Sequence, residues 1–276
     1  MQWWCAATTA EWSWSWQAFP GVWLVIVFLG ELYARALGHA RRAGDFRPRH
    51  PIAFGLGLVV LWAMLDWPVG LLGAGYLLSV HTAQYILLTL VAVPLLLLGL
   101  PASLWPAPGS GPAARVLKLL THPGLGLFLF TAIMAITHVP VVTDTLMPSQ
   151  LGSFAIDLIW LAGAFALWWP VQAPAGYVRI SPPLRIGYLF LATIPPTVPA
   201  AFMIFADYPL YALSELAPRV HGISAGADQQ TAGLIMKAGA DPLLWLEMAI
   251  VFFSWQRSEE RKERQARLLS PQEMTS

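Results

Sequence analysis

Seven apolar stretches of about 20 residues recur along this chain of 276 residues. Helices of that length can cross the ~30 Å hydrocarbon layer of a bilayer. Only 11% of the residues are Asp, Glu, Lys or Arg and 57% are hydrophobic, which excludes an ordinary water-soluble globule. The sequence therefore predicts an all-α fold, an integral membrane bundle of seven helices. The predicted spans are residues 20–38, 52–73, 77–100, 124–142, 152–172, 185–206 and 231–255.

The regions outside the spans are short. Residues 1–19 are rich in Trp but have no basic start, so we expect an interfacial segment rather than a cleaved signal peptide. Residues 20–257 form the predicted seven-span membrane domain. In residues 258–276 acidic and basic side chains alternate at first, which indicates a charged cytoplasmic tail that continues the last helix.

The basic residues predict an orientation. Fourteen of the 16 Lys and Arg residues follow the first, third and seventh spans or lie between the fifth and sixth. Because cytoplasmic loops of membrane proteins retain Lys and Arg, these segments are expected inside the cell. The N-terminus is then outside and the C-terminus cytoplasmic.

Several function classes are disfavoured by composition. A formal charge of +1 gives no excess of positive charge for binding nucleic acid, so no nucleic-acid partner is expected. The single cysteine, Cys5, cannot form an internal disulfide or a Cys-x-x-Cys motif. No nucleophile and base pairing, phosphate loop or cofactor motif is recognisable, so we expect a protein that is not an enzyme.

Ionisable residues inside the predicted spans are the candidate functional residues, since each costs roughly 2.5–3.5 kcal/mol at mid-span. His81, His138 and Asp157 fall at a similar depth near the outer ends of the third, fourth and fifth spans. Two imidazoles and a carboxylate can bind copper or zinc, with Met147 as a supplementary soft donor. Alternatively, the histidines are interfacial residues that bond water or loop carbonyls, and Asp157 is a structural carboxylate.

Other polar residues surround this predicted site or lie in the last span. Gln84 follows His81 by three residues and can orient it or join two helices. Lys237 and Asp241 are four residues apart, which predicts an intramembrane ion pair, although a proton or ion path is the functional alternative. The remaining outer-face or neighbouring polar residues are Tyr85, Asp144, His221, Asp228 and Gln229.

Four motifs resemble the CtaG family of cytochrome c oxidase assembly factors, in the right order along the chain. Residues 81–101 resemble its His-Met-x-Gln-His stretch that runs into Pro-Leu-Leu-Leu-x-Gly-x-Pro. The other matches are Thr137-His138-Val139-Pro140, Trp168-Trp169-Pro170, and Asp228-Gln229 followed by Gly233-Leu234-Ile235-Met236. The resemblance implies a seven-span protein that delivers or inserts copper into a haem-copper oxidase at the outer face of a bacterial plasma membrane. It also implies an oxidase subunit or another membrane complex as partner, in addition to membrane lipids.

The chain departs from the family pattern at its histidines. Tyr85 stands where the family has the second histidine of the third span, and Asp157 is the one polar residue where a histidine pair is expected. Weaker metal binding is one interpretation, and a site rebuilt with Asp157, Tyr85 or His221 is another. The third is a structural or interaction subunit that keeps a CtaG-like scaffold and has lost metal binding.

Overall fold

The computed structural model describes residues 2–105, 111–174 and 180–269, and every regular element in these ranges is helical. Residues 270–276 of the predicted tail lie outside the described residues. The helices are α1 (Pro20–Arg42), α2 (Arg49–Leu65), α3 (Val69–Gly75), α4 (Leu78–Leu98), α5 (Pro112–Leu120), α6 (Pro123–Thr137), α7 (Pro140–Leu146), α8 (Gln150–Gln172), α9 (Pro182–Thr193), α10 (Thr197–Phe205), α11 (Ala212–Leu216) and α12 (Ala225–Leu269).

Four of the described segments are long and apolar enough to cross a membrane: α1, α4, α8, and α9 together with α10. Two bent pairs raise the number to six, since α2 and α3 meet at 46° and α6 and α7 at 74°. The seventh predicted span lies within α12, which is not among these segments because charged residues interrupt its apolar stretch. An all-helical membrane bundle is thus supported, while seven spans and their orientation stay predictions.

Helix α4 occupies the centre of the bundle. Of its apolar window 72% is buried, against 22% for α1, and it packs against α2, α8 and α12. Residues Leu88–Ala92 form a π-helical turn just before Pro94, a residue that has no N–H to donate to the preceding turn. The indole of Trp168 on α8 donates to the carbonyl of Thr89 in this turn at 2.8 Å, which joins the two helices.

Small residues allow close helix contacts elsewhere in the bundle. A Cβ at Gly126 on α6 would collide with the carbonyl of Ala166 on α8. A Cβ at Gly233 on α12 would lie 2.8 Å from the carbonyl oxygen of Ala200 on α10. Backbone approach at small residues is a common way to pack helices in membranes, where no hydrophobic force brings them together.

The N-terminal segment is partly inserted into the bundle. Trp4, Cys5 and Ala6 are at most 3% exposed, and the amide of Ala7 donates to the carbonyl of Met147 at 3.1 Å. By contrast, Trp14 and Trp16 are 62% and 65% exposed. The exposed aromatic surface of this segment therefore lies mainly in its later part, since Trp3 is 39% exposed.

The C-terminal part of α12 is a charged helix. Lys262 and Glu259 form an ion pair at 2.9 Å, and both side chains are largely exposed. The hydrogen bond from Lys262 lowers the pKa of Glu259 below its usual range. Helix α12 runs without interruption to Leu269, as expected for a solvated continuation of the last helix.

The break between α9 and α10 is bonded to α12 through Lys237. Its ammonium lies 2.8 Å from Asp241 Oδ2, donates to Thr197 Oγ1 at 2.8 Å and to the carbonyl of Thr193 at 3.4 Å. Pro195 and Pro196 cannot donate N–H groups at this break, so a backbone carbonyl there gains a side-chain donor. Lys237 thus has a structural use besides its ion pair.

We expect Lys237→Met to lower the free energy of unfolding by about 2 kcal/mol, because Asp241, whose side chain is 13% exposed, loses its cation and the Thr193 carbonyl keeps only the long hydrogen bond from Thr197 Oγ1 at 3.5 Å. Thermal or denaturant unfolding of the detergent-purified protein measures this. The matched control is Lys262→Met, which breaks an exposed ion pair and should change stability by less than about 1 kcal/mol. Equal effects of the two substitutions would show that Lys237 does not support the break.

Candidate functional site

His81 and His138 both lie against the indole of Trp160. The ring centres of His81 and Trp160 are 4.9 Å apart, and those of His138 and Trp160 are 6.4 Å apart. Tyr85 completes the aromatic cluster, with its ring centre 5.2 Å from His138 and 5.0 Å from Trp160. The structure therefore places the two predicted histidines near each other, as their depth in the spans indicates.

The polar atoms of the three predicted metal ligands nevertheless have different surroundings. His138 Nδ1 lies 2.7 Å from the carbonyl oxygen of Met134, to which it can donate. Asp157 Oδ2 accepts a hydrogen bond from the indole of Trp4 at 2.8 Å. Over residues 2–105, 111–174 and 180–269, no group of three His, Cys, Asp or Glu side chains is arranged to hold a metal ion. The structure thus does not assemble His81, His138 and Asp157 into one ligand set.

His81 and Asp157 share a small cavity with two sulfur-containing residues. The Cys5–His81 cavity has about 10 Å³ available to the centre of a water molecule, which is close to the room that one water needs. Its polar and sulfur-containing lining residues are Cys5, His81, Gln84, Met147, Ser153 and Asp157. Cys5 is the residue that sequence reasoning missed here, since its only signal was a lone thiol beside two tryptophans in a segment predicted to lie at the interface.

His81 lines this cavity without a side-chain hydrogen bond to any described residue. Its side chain is 8% exposed and has no hydrogen-bond partner among the described residues. Cys5 Sγ, in comparison, donates to the carbonyl of Leu65 at 3.3 Å. Gln84 Nε2 donates to the carbonyl of Met64 at 2.5 Å and so bonds α4 to α2. The ring nitrogens of His81 are not among the fully enclosed polar atoms, so an imidazole that lines this cavity and bonds no protein group among the described residues is available to a ligand.

His138 lines a different and much larger cavity between α6, α7 and α10. Its volume is about 510 Å³ and its wall is almost entirely apolar, including Pro195, Pro199 and Phe202. Tyr211 closes one side, and its hydroxyl donates to the His138 carbonyl at 2.8 Å. Both the backbone and the ring of His138 are therefore engaged in holding the bend between α6 and α7.

The remaining predicted outer-face residues hold helix ends and loops. Asp228 accepts hydrogen bonds from the amides of Leu78 and Ser79 at 2.6 and 3.2 Å, and so caps α4 three residues before His81. Asp144 caps α11 in the same way, through the amides of Ala212 and Leu213 at 3.1 and 3.0 Å.

Three further predicted residues have other environments. Gln229 accepts from the amide of Leu210 at 2.6 Å and donates to the carbonyls of Met203 and Tyr208. The hydroxyl of Tyr85 is buried and has no partner among the described residues. His221 is exposed, has a φ of 50° in a turn, and lines neither cavity.

Comparison with known protein families assigns the chain to one of them. The model of the cytochrome c oxidase caa3 assembly factor family (Caa3_CtaG) matches residues 31–258. This chain belongs to that family. Neither the curated proteins nor the solved structures contain a match to the chain. Membership confirms the resemblance carried by the four motifs and identifies the chain as one of a family of oxidase assembly factors.

The motifs of this family member have structural roles in the bundle. Thr137 Oγ1 accepts a hydrogen bond from Trp160 Nε1 at 2.9 Å, and Trp168 bonds the π-helical turn of α4. Asp228 caps α4, as described above. Two of the four family motifs thus contain a residue that bonds α4, namely Trp168 and Asp228, and so help to position His81.

We expect Asp228→Ala to lower the free energy of unfolding by about 1–2 kcal/mol, because the buried amide of Leu78 and the partly buried amide of Ser79 lose their acceptor at the start of α4. Asp144→Ala removes a cap of the same kind from the five-residue α11 and is the matched control, with a smaller expected effect. Unfolding in detergent, followed by circular dichroism, compares the two. A loss of stability in Asp144→Ala as large as that in Asp228→Ala would contradict a special role for the α4 cap.

Proposed function

We propose that this chain binds a copper ion in the Cys5–His81 cavity and transfers it to a haem-copper oxidase during assembly. Membership in the assembly-factor family supports the oxidase as the client. The observation that carries the copper proposal is the His81 side chain, which is buried, lacks a partner among the described residues, and shares a cavity with Cys5 and Met147.

The chemistry of these donors favours monovalent copper. Thiolate and thioether sulfurs are soft ligands that select Cu(I), and imidazole also suits copper. Asp157 adds a nearby carboxylate whose Oδ2 is occupied by Trp4. This donor set differs from the predicted one, because Cys5 takes the place of His138, while Met147 was already expected as a supplementary donor.

Copper binding at this site requires changes that lower the affinity, and a carrier that must release its ion needs a limited affinity. Cys5 must lose its proton to act as a thiolate, and its hydrogen bond to the Leu65 carbonyl is then lost. The described donors are also not preassembled, so the ion must draw them together in a cavity of about 10 Å³. Both effects lower the affinity, which allows the ion to be released to a client.

The direction of delivery follows from the predicted topology. Basic residues concentrate after α1 and in α12, at the end of the bundle opposite to His81. With that end in the cytoplasm, the Cys5–His81 cavity lies near the outer face of the plasma membrane. Our proposal is therefore a non-catalytic copper carrier that acts at the outer face.

We expect the wild-type protein, loaded with Cu(I) under reducing conditions, to retain about one equivalent of copper. Cys5→Ser, His81→Ala and Met147→Leu should each lose most of it, because each removes one donor from a small set. His138→Ala and His221→Ala are the controls and should retain copper, since neither residue lines the cavity. Mass spectrometry of detergent-purified protein measures the metal content, and melting temperatures confirm that each variant is folded.

Two results would contradict the proposal. Copper retained in folded Cys5→Ser and His81→Ala would place the ion elsewhere. Copper lost in His138→Ala as completely as in His81→Ala, at equal melting temperature, would restore the originally predicted pair of histidines as ligands.

A metal-free scaffold that binds the oxidase or another membrane complex is the second candidate. The absence of a three-donor group among the described residues favours it. In cells that carry the Cys5→Ser/His81→Ala variant, a scaffold leaves the oxidase active with normal copper content and still copurifies with it. A copper carrier instead lowers the copper content of the oxidase while the variant accumulates normally in the membrane.

A further inference from the structure

A second polar cavity lies at the opposite end of the bundle from His81, where α2 begins and α8 ends. This Arg47 cavity has a volume of about 260 Å³. Its polar and aromatic lining residues are Asp45, Arg47, Arg49, His50, Trp105 and Gln172. None of these residues takes part in the proposed copper site, so the two sites can be tested independently.

The cavity carries two cationic side chains that are free to meet an anion. Arg47 and Arg49 are exposed, and neither forms an ion pair or side-chain hydrogen bond among the described residues. The N-terminus of α2 lies at the same place and has no side-chain cap, so its dipole adds positive potential. The one acidic lining residue, Asp45, accepts a hydrogen bond from the amide of Ser103 at 2.8 Å.

Polar groups without partners lie beside these arginines. His50 is 5% exposed, and its Nδ1 has no hydrogen-bond partner among the described residues. Both polar atoms of the Gln172 amide are also buried and unpaired there. Since buried polar groups are usually satisfied, this cluster indicates a place where a polar ligand group is bound.

The wall of the cavity is apolar on one side. Leu97, Leu98 and Leu100 line it at the end of α4, and Leu98 is 54% exposed. A ligand that contacts both halves of the cavity must have an anionic group and a hydrocarbon part. Free phosphate would use the arginines but would leave the leucine wall without a contact.

We propose that the Arg47 cavity binds the phosphate group of an anionic phospholipid, with the lipid chains against Leu97, Leu98 and Leu100. Arginine guanidinium groups recognise phosphate oxygens through charge-assisted hydrogen bonds. Basic pockets between helices on the cytoplasmic side are suited to lipid head groups, and the predicted topology places this end of the bundle there.

General attraction of basic residues to anionic membranes is the competing explanation, and a charge-matched variant separates the two. Arg41 and Arg42 belong to the same basic segment but do not line the cavity. Arg41 lies over the ring of Phe46 at 4.7 Å, and Arg42 Nε donates to the carbonyl of Gly38 at 3.3 Å. Non-specific attraction depends on the number of charges, so it should weaken equally when either pair is neutralised.

The test is native mass spectrometry of the full-length detergent-purified protein with phosphatidylglycerol, phosphatidylcholine or inorganic phosphate. We expect phosphatidylglycerol to remain bound to the wild type and Arg47→Gln/Arg49→Gln to lower its apparent affinity about tenfold. Arg41→Gln/Arg42→Gln removes the same charge and should change the affinity by less than about twofold. Melting temperatures establish that both double variants are folded.

Each alternative outcome decides the proposal. Equal losses in the two folded double variants would overturn it in favour of non-specific attraction. Phosphatidylcholine bound as tightly as phosphatidylglycerol would overturn recognition of an anionic lipid. Inorganic phosphate that binds in an Arg47- and Arg49-dependent way, without any binding of phosphatidylglycerol, would overturn the lipid and leave a site for free phosphate.

Discussion

Carbonyl groups at helix breaks are the constraint on which this bundle depends. A backbone carbonyl without a donor is costly in hydrocarbon, so a broken helix must find its donors in side chains. Lys237 donates to Thr193 at the break between α9 and α10, and Tyr211 donates to His138 at the bend between α6 and α7. The indole of Trp168 donates to the carbonyl of Thr89 in the π-helical turn of α4. Each of these donors comes from a different helix or loop, so the bonds that satisfy the breaks also assemble the bundle.

The candidate copper site follows from the same constraint at the end of α2. The bend there directs the carbonyl of Leu65 to the thiol of Cys5, and the carbonyl of Met64 to the amide of Gln84. Cys5 is thus brought to α4, next to His81, by a bond that serves the fold. A metal ion at Cys5 competes with that bond, so the fold itself sets part of the cost of loading and part of the driving force for release.

Hydropathy was sufficient to predict most of the helices, because an apolar run of span length has few alternatives to a helix. It located α1, α4, α8 and the α9–α10 span, and the spacing of Lys237 and Asp241 correctly indicated an i,i+4 pair. It did not reveal that Thr193 and Thr197 share the Lys237 ammonium, since that requires knowledge of how α12 packs against the break. The charged residues of α12 make this helix harder to recognise as a span. They lower the hydropathy of a helix that nevertheless packs against α4, α9 and α10.

The limits of sequence reasoning at the site have a similar physical cause. Position in a span gives the depth of a side chain, and His81 and His138 do lie close together. The direction of a side chain depends on neighbours that are distant in sequence, such as Trp4, which bonds Asp157 across 153 positions. Sequence spacing therefore predicted a set of three ligands, whereas the structure assigns His138 and Asp157 to separate contacts.

Among the polar residues predicted at this end of the bundle, only a few have no hydrogen-bond partner among the described residues, and His81 and the hydroxyl of Tyr85 are two of them. Asp144, Asp228, Gln229, Gln84, Asp157 and His138 all have partners that position helices or loops. His81 is 8% exposed, and its imidazole satisfies no other group among the described residues. A histidine near the outer end of a span that contributes no hydrogen bond to the fold needs a different explanation. Ligand binding is such an explanation, because His81 shares its cavity with a thiol and a thioether.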